Sequence, residues 1–403
     1  MTAALPPQPW MQDPATKAVM TALANAGGSP RFVGGCVRDT LVGRAVADID
    51  IATPLTPPAV IAALEAADLR AVPTGIEHGT VTAISGRRPF EVTTLRRDVE
   101  TDGRRAVVAF TTDWAEDAQR RDFRLNALYL DPEGRLYDPT GGGVADAHAG
   151  RIVFVGDAET RIREDYLRTL RFFRFLAWYG RGEPDAVALA ACARLKDGLA
   201  GLSGERVSKE FLKLLAAKDP MPSLRLMQDS GILAVLLTGM DRLDRLESLI
   251  GLGQADPELR LAALARNPEA MAAAITRLRL SNAQAGRLEA ALADKAPGLE
   301  SPAVRAAIYR LGAQAVRDRI ILAWAEHPKA DARPRRAALD IAKSWSPPRL
   351  PVGGADAQAL GIAPGPALGK ALAAVEQWWI GEDFAPTREM LLERLATEAR
   401  AAL

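Results

Sequence analysis

Asp48 and Asp50, separated by Ile49 in the stretch "ADIDIAT", are the most chemically pointed spacing in the chain. On an extended strand successive side chains alternate, so both carboxylates share one face while Ile49 and Ile51 turn into the core. Two ionised carboxylates side by side repel unless a cation lies between them. The three histidines, His78, His148 and His327, are scattered, and no His/Cys cluster occurs. The expected cation is therefore hard and oxygen-preferring, namely Mg²⁺ at Asp48 and Asp50. Two such ions roughly 3.5–4 Å apart can activate a hydroxyl and neutralise a leaving pyrophosphate. A solvent-facing edge strand carrying two acids has the same pattern, so Asp-x-Asp by itself does not decide.

The residues upstream shift the balance. "FVGG" reads as a strand end and "CVRDTLVG" as a helix start. Glycines at such a junction let backbone N–H groups approach a phosphate, and a helix N-terminus favours the anion. Gly34 and Gly35 would form that turn, and Arg38, one turn in, can add a charge-assisted bond to a triphosphate. A plain tight turn is the alternative for the two glycines alone. Together, turn and acids suit a nucleoside triphosphate bound as its metal complex.

The elements that must position these residues follow from the pattern of the rest. Over residues 30–140, β-branched runs ("RFVGG", "DIDIAT", "GTVTAIS", "PFEVTTLR", "AVVAFTT") predict strands. "VRDTLVGR", "PPAVIAALEAADL" and "WAEDAQRRDFRLNALYL" predict helices, as does "REDYLRTLRFFRFLAWYG". From about Thr160 the apolar spacing is helical almost to the end, interrupted at "SPPRLPVGGADAQALGIAPGPALG". The pattern predicts an α/β head followed by an all-helical remainder.

Composition sets the outer bounds. The 403 residues are 48% hydrophobic and 25% charged, a globular composition with ample core material. No run of about 18 apolar residues predicts a membrane span, and the start has no basic segment leading into an apolar one, so no secretory signal is expected. Cys36 and Cys192 suit a reduced cytoplasm better than a disulfide framework. A net charge of +1 gives no global field toward nucleic acid. Arg161, Arg163, Arg168, Arg171, Arg174 and Arg181 are nonetheless clustered, a pattern that is ordinarily a solvated face.

"GGCVRDTLVGR…DIDIAT" resembles the signature of polymerase-β-type nucleotidyltransferases, and more narrowly the class II CCA-adding and bacterial poly(A) polymerase family. "GIEHGTVTAI", "RRDFRLNALYLD", "LYDPTGGG", "REDYLRTLRFF" and "ERVSKEFLKLL" follow in that family's order, covering roughly residues 30–215. The resemblance implies an α+β fold: a polymerase-β-like mixed-sheet head over 1–158, a helical neck with nucleotide-base recognition over 159–220, and a helical body and tail for tRNA binding over 221–403. Asp48 and Asp50 would bind the catalytic metals, with Glu91 as a candidate third carboxylate or simply a strand-edge acid. Arg121, Asp122 and Asn126 would surround ribose and phosphates. On "REDYLRTLRFFRF", Glu164 shares a helical stripe with Arg168 and Arg171, while Asp165 stands i, i+3 from Arg168. A paired Asp165 and Arg168 would present a donor–acceptor edge to cytosine or adenine, with Arg171 and Arg174 orienting the pair or reaching phosphate. Position 166 is Tyr where the family usually has Pro or Ala.

The resemblance further implies template-independent addition of C, C and A to tRNA from CTP and ATP. The region after "DIDIAT" lacks the arginine-rich stretch of the poly(A) polymerases, and "RRDVETDGRRA" resembles the flexible loop tied to adding the final A. Poly(A) synthesis and partial CC or A addition are the alternatives within the family. A small-molecule nucleotidyltransferase fits the long helical remainder poorly, and a non-catalytic RNA-binding protein fits Asp48 and Asp50 poorly. No His-Asp phosphohydrolase motif and no obligate protein partner is expected. "PRRAALDIAKSW" is a candidate tRNA contact, and Trp378 and Trp379 are expected in the core.

Overall fold

The computed structural model describes residues 5–102, 105–293 and 295–402. The chain forms two compact units, Met1–Leu236 and Leu237–Leu403. The boundary expected after residue 220 thus falls inside the first unit.

The first unit opens with α1 (Pro9–Gln12) and α2 (Pro14–Asn25), each started by proline, whose fixed φ suits a first helical turn. Then follow β1 (Arg31–Val33), α3 (Gly35–Leu41), β2 (Asp50–Thr53) and α4 (Pro57–Glu65). The strands β3 (Arg70–Gly75), β4 (Thr80–Ser85) and β5 (Arg88–Thr94) complete one side of the sheet. In β4, Val81 and Ala83 are fully buried between less buried threonines, the two-residue period of a half-buried strand. β6 (Arg96–Asp102) and β7 (Arg105–Phe110) form a separate antiparallel hairpin. The segment expected as a flexible loop, 97–105, is therefore largely strand, and residues 103 and 104 lie outside the described residues. After α5 (Trp114–Gln119) come the short strands β8 (Tyr129–Leu130) and β9 (Leu136–Tyr137) and helix α6 (Gly143–Ala149).

The seven-stranded sheet has the order β3-β4-β5-β2-β1-β8-β9. β2 and β5 run parallel, with Asp50 opposite Glu91, and the other neighbours are antiparallel. This is the mixed-sheet head expected from the sequence. Similarly, α7 (Ala158–Glu164), α8 (Leu167–Tyr179), α9 (Ala186–Arg194), α10 (Gly204–Leu215), α11 (Met221–Asp229) and α12 (Ile232–Leu236) supply the expected helical continuation.

Two stretches expected as continuous helices are broken. "WAEDAQRRDFRLNALYL" is helical only to Gln119, because the backbone at 122–124 pairs with 153–155 instead. Arg124 N donates to Val153 O at 3.0 Å and Val155 N to Asp122 O at 3.0 Å, flanking a bridge between Phe123 and Phe154. A ladder made in tertiary contact here overrides local helical preference. "REDYLRTLRFF" breaks at Asp165, whose backbone is extended (φ −156°, ψ 106°) and whose Oδ1 accepts from Leu167 N at 3.1 Å, starting α8 anew.

That bridge seeds an aromatic cluster. The Phe123 ring lies 4.9 Å from Phe154 and 5.1 Å from Phe175, and Phe154 stacks on Phe172 at 5.9 Å. Phe123 and Phe172 are fully buried, so the strand side and α8 share one core.

The second unit is helical, from Leu243–Gly251 to Arg388–Ala402. Arg287 ties three segments by bonding Asp256, Glu258 and Asp318 at 2.5, 2.9 and 2.9 Å. Trp379 is buried in a cluster with Val375, Leu391 and Leu395, and Trp378 packs against it, so both belong to the core as expected.

Phe123→Ala should destabilise the first unit by about 3–5 kcal/mol through the cavity it leaves. Chemical denaturation measures this, and a loss below about 1 kcal/mol would mean the aromatic cluster does not join strand side to helix α8.

Candidate nucleotide-binding and active site

β1 gives way at Gly34, the residue before α3, which has φ 70° and ψ −118°, a conformation open in practice only to glycine. The turn delivers the chain into α3, whose first amides have no intrahelical acceptor and face the neighbouring space. A Cβ at Gly34 would meet nothing closer than 3.8 Å. The glycine therefore serves the backbone angle and keeps the approach to α3 open.

β2 begins at Asp50, opposite Glu91 of β5. Asp48 consequently lies in the coil leading into β2, a correction to its expected place on the strand. Alternation nevertheless holds: Ile49 and Ile51 are buried, Asp48 is exposed and Asp50 half-buried. Glu91 on β5 sits beside Asp50 in register, on the same face. Among the described residues none of these three carboxylates has an ion-pair or side-chain hydrogen-bond partner. Burial, then the Glu91 carboxylate and, more weakly, that of Asp48, push the Asp50 carboxyl up to about 6 against the opposing pull of Arg121 and Arg38.

The arginines opposite are, in contrast, fully engaged. Arg38 donates to Asn126 Oδ1 at 2.7 Å, to Tyr179 Oη at 2.6 Å and to Asp39 at 2.9 Å, and stacks 4.1 Å over the Tyr179 ring. Asn126 in turn donates to Asp122 Oδ1 at 3.0 Å, although the two residues do not share a helix. Asp122 accepts from Arg171 at 2.7 Å. Burial raises the Asp122 carboxyl, and Arg171 with Asn126 more than offsets this, holding it below its ordinary value. Asp117, a buried residue of α5, takes Arg120 at 2.7 Å, Arg121 at 2.9 Å and the Tyr129 hydroxyl at 2.7 Å. Burial pushes its carboxyl up, but Arg121 and Arg120 prevail and hold it well below the usual range.

Asp165 and Arg168 do not pair with each other, correcting the expected side-chain couple. The break before α8 swings the Asp165 carboxylate to Arg206 on α10, at 2.6 Å. Arg168 turns back to Glu164 and to the Arg161 carbonyl at 2.8 Å. Glu164 thus braces Arg161 and Arg168 and lines an adjoining cavity with Arg97, Arg120 and Arg161. On α10, Glu210 accepts from Arg174 at 2.6 Å and lies 3.6 Å from Arg171.

One open cavity of about 420 Å³ gathers most of the expected residues: Gly34, Gly35, Arg38, Asp50, Arg121, Asp122, Asn126, Asp165, Arg168, Arg171 and Arg174. Asp48, Glu91 and Glu164 lie outside its lining. Sequence reading did not single out Arg120 or Phe175, which complete the wall, nor Tyr129 and Asp117 behind it. Phe175 sits under Arg174 at 4.4 Å, Arg38 at 5.2 Å and Arg171 at 5.5 Å, a platform invisible in a helical pattern that marks it only as apolar. Arg206 and Glu210 were visible as an i, i+4 motif, but not their partners.

Known proteins resemble this chain over nearly its whole length. The family model described as the poly A polymerase head domain matches residues 30–153, and that of a probable RNA and SrmB-binding site of polymerase A matches 183–243. The mitochondrial CCA tRNA nucleotidyltransferase 1 of Mus musculus is 33% identical over 90% of this chain and 85% of its own. The CCA-adding enzyme of Limosilactobacillus fermentum is 32% identical over 93% and 94%. The crystal structure of the Bacillus stearothermophilus CCA-adding enzyme in complex with CTP superposes with a TM-score of 0.81 at 27% identity, covering 98% of each chain.

A raised Asp50 means that, between pH about 4 and 6, the folded state binds the proton more tightly than the unfolded chain. Stability without added metal should therefore fall as pH rises through that window. Asp50→Asn should stabilise the metal-free protein at pH 7 by about 1–2 kcal/mol, the cost of ionising the raised carboxyl discounted for its partial exposure. Denaturation at pH 4.5 and pH 7 checks this; a destabilised Asp50→Asn protein at pH 7 would contradict the unpaired-acid geometry.

Proposed function

The chain belongs to the family of CCA tRNA nucleotidyltransferases, and from that membership we propose how its residues add C, C and A to the 3′ end of tRNA from CTP and ATP with release of pyrophosphate. The observation that carries the assignment of roles is the single cavity uniting the Gly34–Gly35 turn, the unpartnered Asp50 and the Asp165–Arg168 wall.

Nucleotidyl transfer in this family uses a divalent cation, and Mg²⁺ is assigned here to Asp48 and Asp50, with Glu91 as the third carboxylate. The donor chemistry fits a hard cation: Asp50 stands opposite Glu91 in register with Asp48 two residues away, none has a basic partner among the described residues, and burial with the Glu91 and Asp48 fields pushes the Asp50 carboxyl up to about 6. Among the described residues no three His, Cys, Asp or Glu side chains are placed to hold an ion by themselves. This suits an ion that takes the rest of its shell from nucleotide phosphates and water. When bound, it offsets phosphate charge and makes a hydroxyl easier to deprotonate.

The chain's own residues do the positioning. The Gly34–Gly35 turn sets backbone amides against the triphosphate, with Arg121 and Arg38 in the same wall. Asp122 and Asn126 face the ribose, where they can tell a 2′-hydroxyl from its absence. Asp165 and Arg168 line one wall of the cavity, where the acceptor capacity Asp165 keeps beside Arg206 and the donors Arg168 keeps beside Glu164 and the Arg161 carbonyl can meet a base edge. Arg171 and Arg174, fixed by Asp122 and Glu210, hold that wall's charge. The terminal tRNA hydroxyl oxygen then forms its bond to the α-phosphorus as the bond to pyrophosphate breaks.

The tRNA itself is bound by backbone charge and shape. Exposed Arg333, Arg336 and Lys343 on helix Ala332–Ser344 support a contact there. No helix of the described residues is long and apolar enough to cross a membrane. The buried free thiols of Cys36 and Cys192 support a reducing compartment, which we take to be the cytoplasm.

Incubating the protein with tRNAs ending before each of C, C and A, one labelled triphosphate at a time, should extend each by the nucleotide due and stop at CCA. Long A tracts would make it a poly(A) polymerase, and arrest at CC a partial enzyme. Asp48→Ala and Asp50→Ala should each lower turnover on the order of a thousandfold while leaving tRNA affinity nearly unchanged. Near-normal turnover in either would remove the metal assignment.

A further inference from the structure

Tyr166 occupies the break between α7 and α8, directly after Asp165. Its backbone is already helical (φ −60°, ψ −18°), and its carbonyl accepts from Thr169 N at 3.1 Å. The half-buried ring extends from this corner onto the 3₁₀ turn Lys196–Gly201, over Gly198.

The fit there is unusually close. A Cβ placed on Gly198 would lie 2.0 Å from the Tyr166 Cδ1 and Cε1 atoms and 2.5 Å from Cζ. Gly198 is not among the positive-φ glycines, so its backbone does not demand glycine. The ring does. Any side chain at position 198 must expel Tyr166, because the clash falls on the body of a rigid ring rather than on the end of a flexible chain.

The turn under the ring runs on through Leu202 and Ser203 into α10, which carries Arg206. Asp165 is therefore tied to the same stretch of chain twice. Its carboxylate is bonded by Arg206, and its backbone neighbour is seated on Gly198. The two ties act on one lever, since Asp165 is the extended residue between two helices; beside them, its carbonyl accepts from Arg168 N at 3.0 Å and its Oδ1 from Leu167 N at 3.1 Å, which start α8.

We propose that Tyr166, seated on Gly198, is a positioning residue that fixes the direction of Asp165 and hence the enzyme's choice of nucleotide base. The inference deepens the role given to Asp165 above and rests on it. The ring acts by shape, as the Tyr166 hydroxyl has no hydrogen-bond partner among the described residues. Phenylalanine should serve, and alanine should not.

The test measures kcat/KM for CTP, ATP, UTP and GTP on tRNAs awaiting C or A, alongside denaturation midpoints. Tyr166→Phe should keep the wild-type ratio of correct to incorrect nucleotide. Tyr166→Ala should lower that ratio by about tenfold, the effect of a sub-ångström to ångström misplacement of a reading group. Gly198→Ala should lower it similarly, and should lower the denaturation midpoint more in the wild-type background than in Tyr166→Ala, where the clash is gone. Asp165→Ala is the reference. If Asp165→Ala leaves discrimination unchanged, the base-reading role of Asp165 falls. If Asp165→Ala degrades discrimination while Tyr166→Ala and Gly198→Ala do not, the positioning role of Tyr166 is overturned and that of Asp165 stands. Additive losses of stability in the double variant would likewise overturn the ring-on-glycine contact.

Discussion

The site depends on an asymmetry of pairing between its acids and its bases. Burial, with the Glu91 field and more weakly that of Asp48, raises Asp50, yet none of the three acids has a basic partner among the described residues. Across the cavity, Arg38, Arg120, Arg121, Arg168, Arg171 and Arg174 all have carboxylate, carbonyl or amide partners already. If even one arginine swung to Asp50, the local repulsion would be relieved without a cation. The internal partners of the arginines keep the acids available for a metal and the cavity positive for a triphosphate.

Those internal partners come from several parts of the first unit, which is why its strand side and helices share a core. Asp117 on α5 holds Arg120 and Arg121, whose carbonyls take Arg161 from α7. Asp122 holds Arg171 on α8, and Glu210 on α10 holds Arg174. Buried ion pairs of this sort contribute less to stability than their distances suggest, because desolvation opposes them. Stability comes instead from the Phe123, Phe154 and Phe172 cluster, and the ion pairs set direction. A side chain that must meet a base edge needs its direction set more than it needs a deep energy well.

Much of this was legible in the chain. The acids, the glycine turn, the α/β head and the helical remainder followed from period and spacing, and eleven of the residues singled out line one cavity. Misreadings clustered where nonlocal contacts act. "WAEDAQRRDFRLNALYL" has helical composition, but its middle pairs with 153–155, about thirty residues on. Asp165 and Arg168 have the spacing of a helical ion pair, yet Asp165 is taken by Arg206, 41 residues on, while Arg168 pairs along its own stripe with Glu164.

The sequence by itself determined which groups are present and on which face of each local element they fall, since periods of two and 3.6 residues are properties of the backbone. Only the tertiary structure decided where elements stop and which charge meets which. Both depend on groups brought together across the fold, as Phe123 meets Phe154 and Tyr166 meets Gly198. Local spacing carries no information about such meetings, because their energy arises only once the chain has closed on itself.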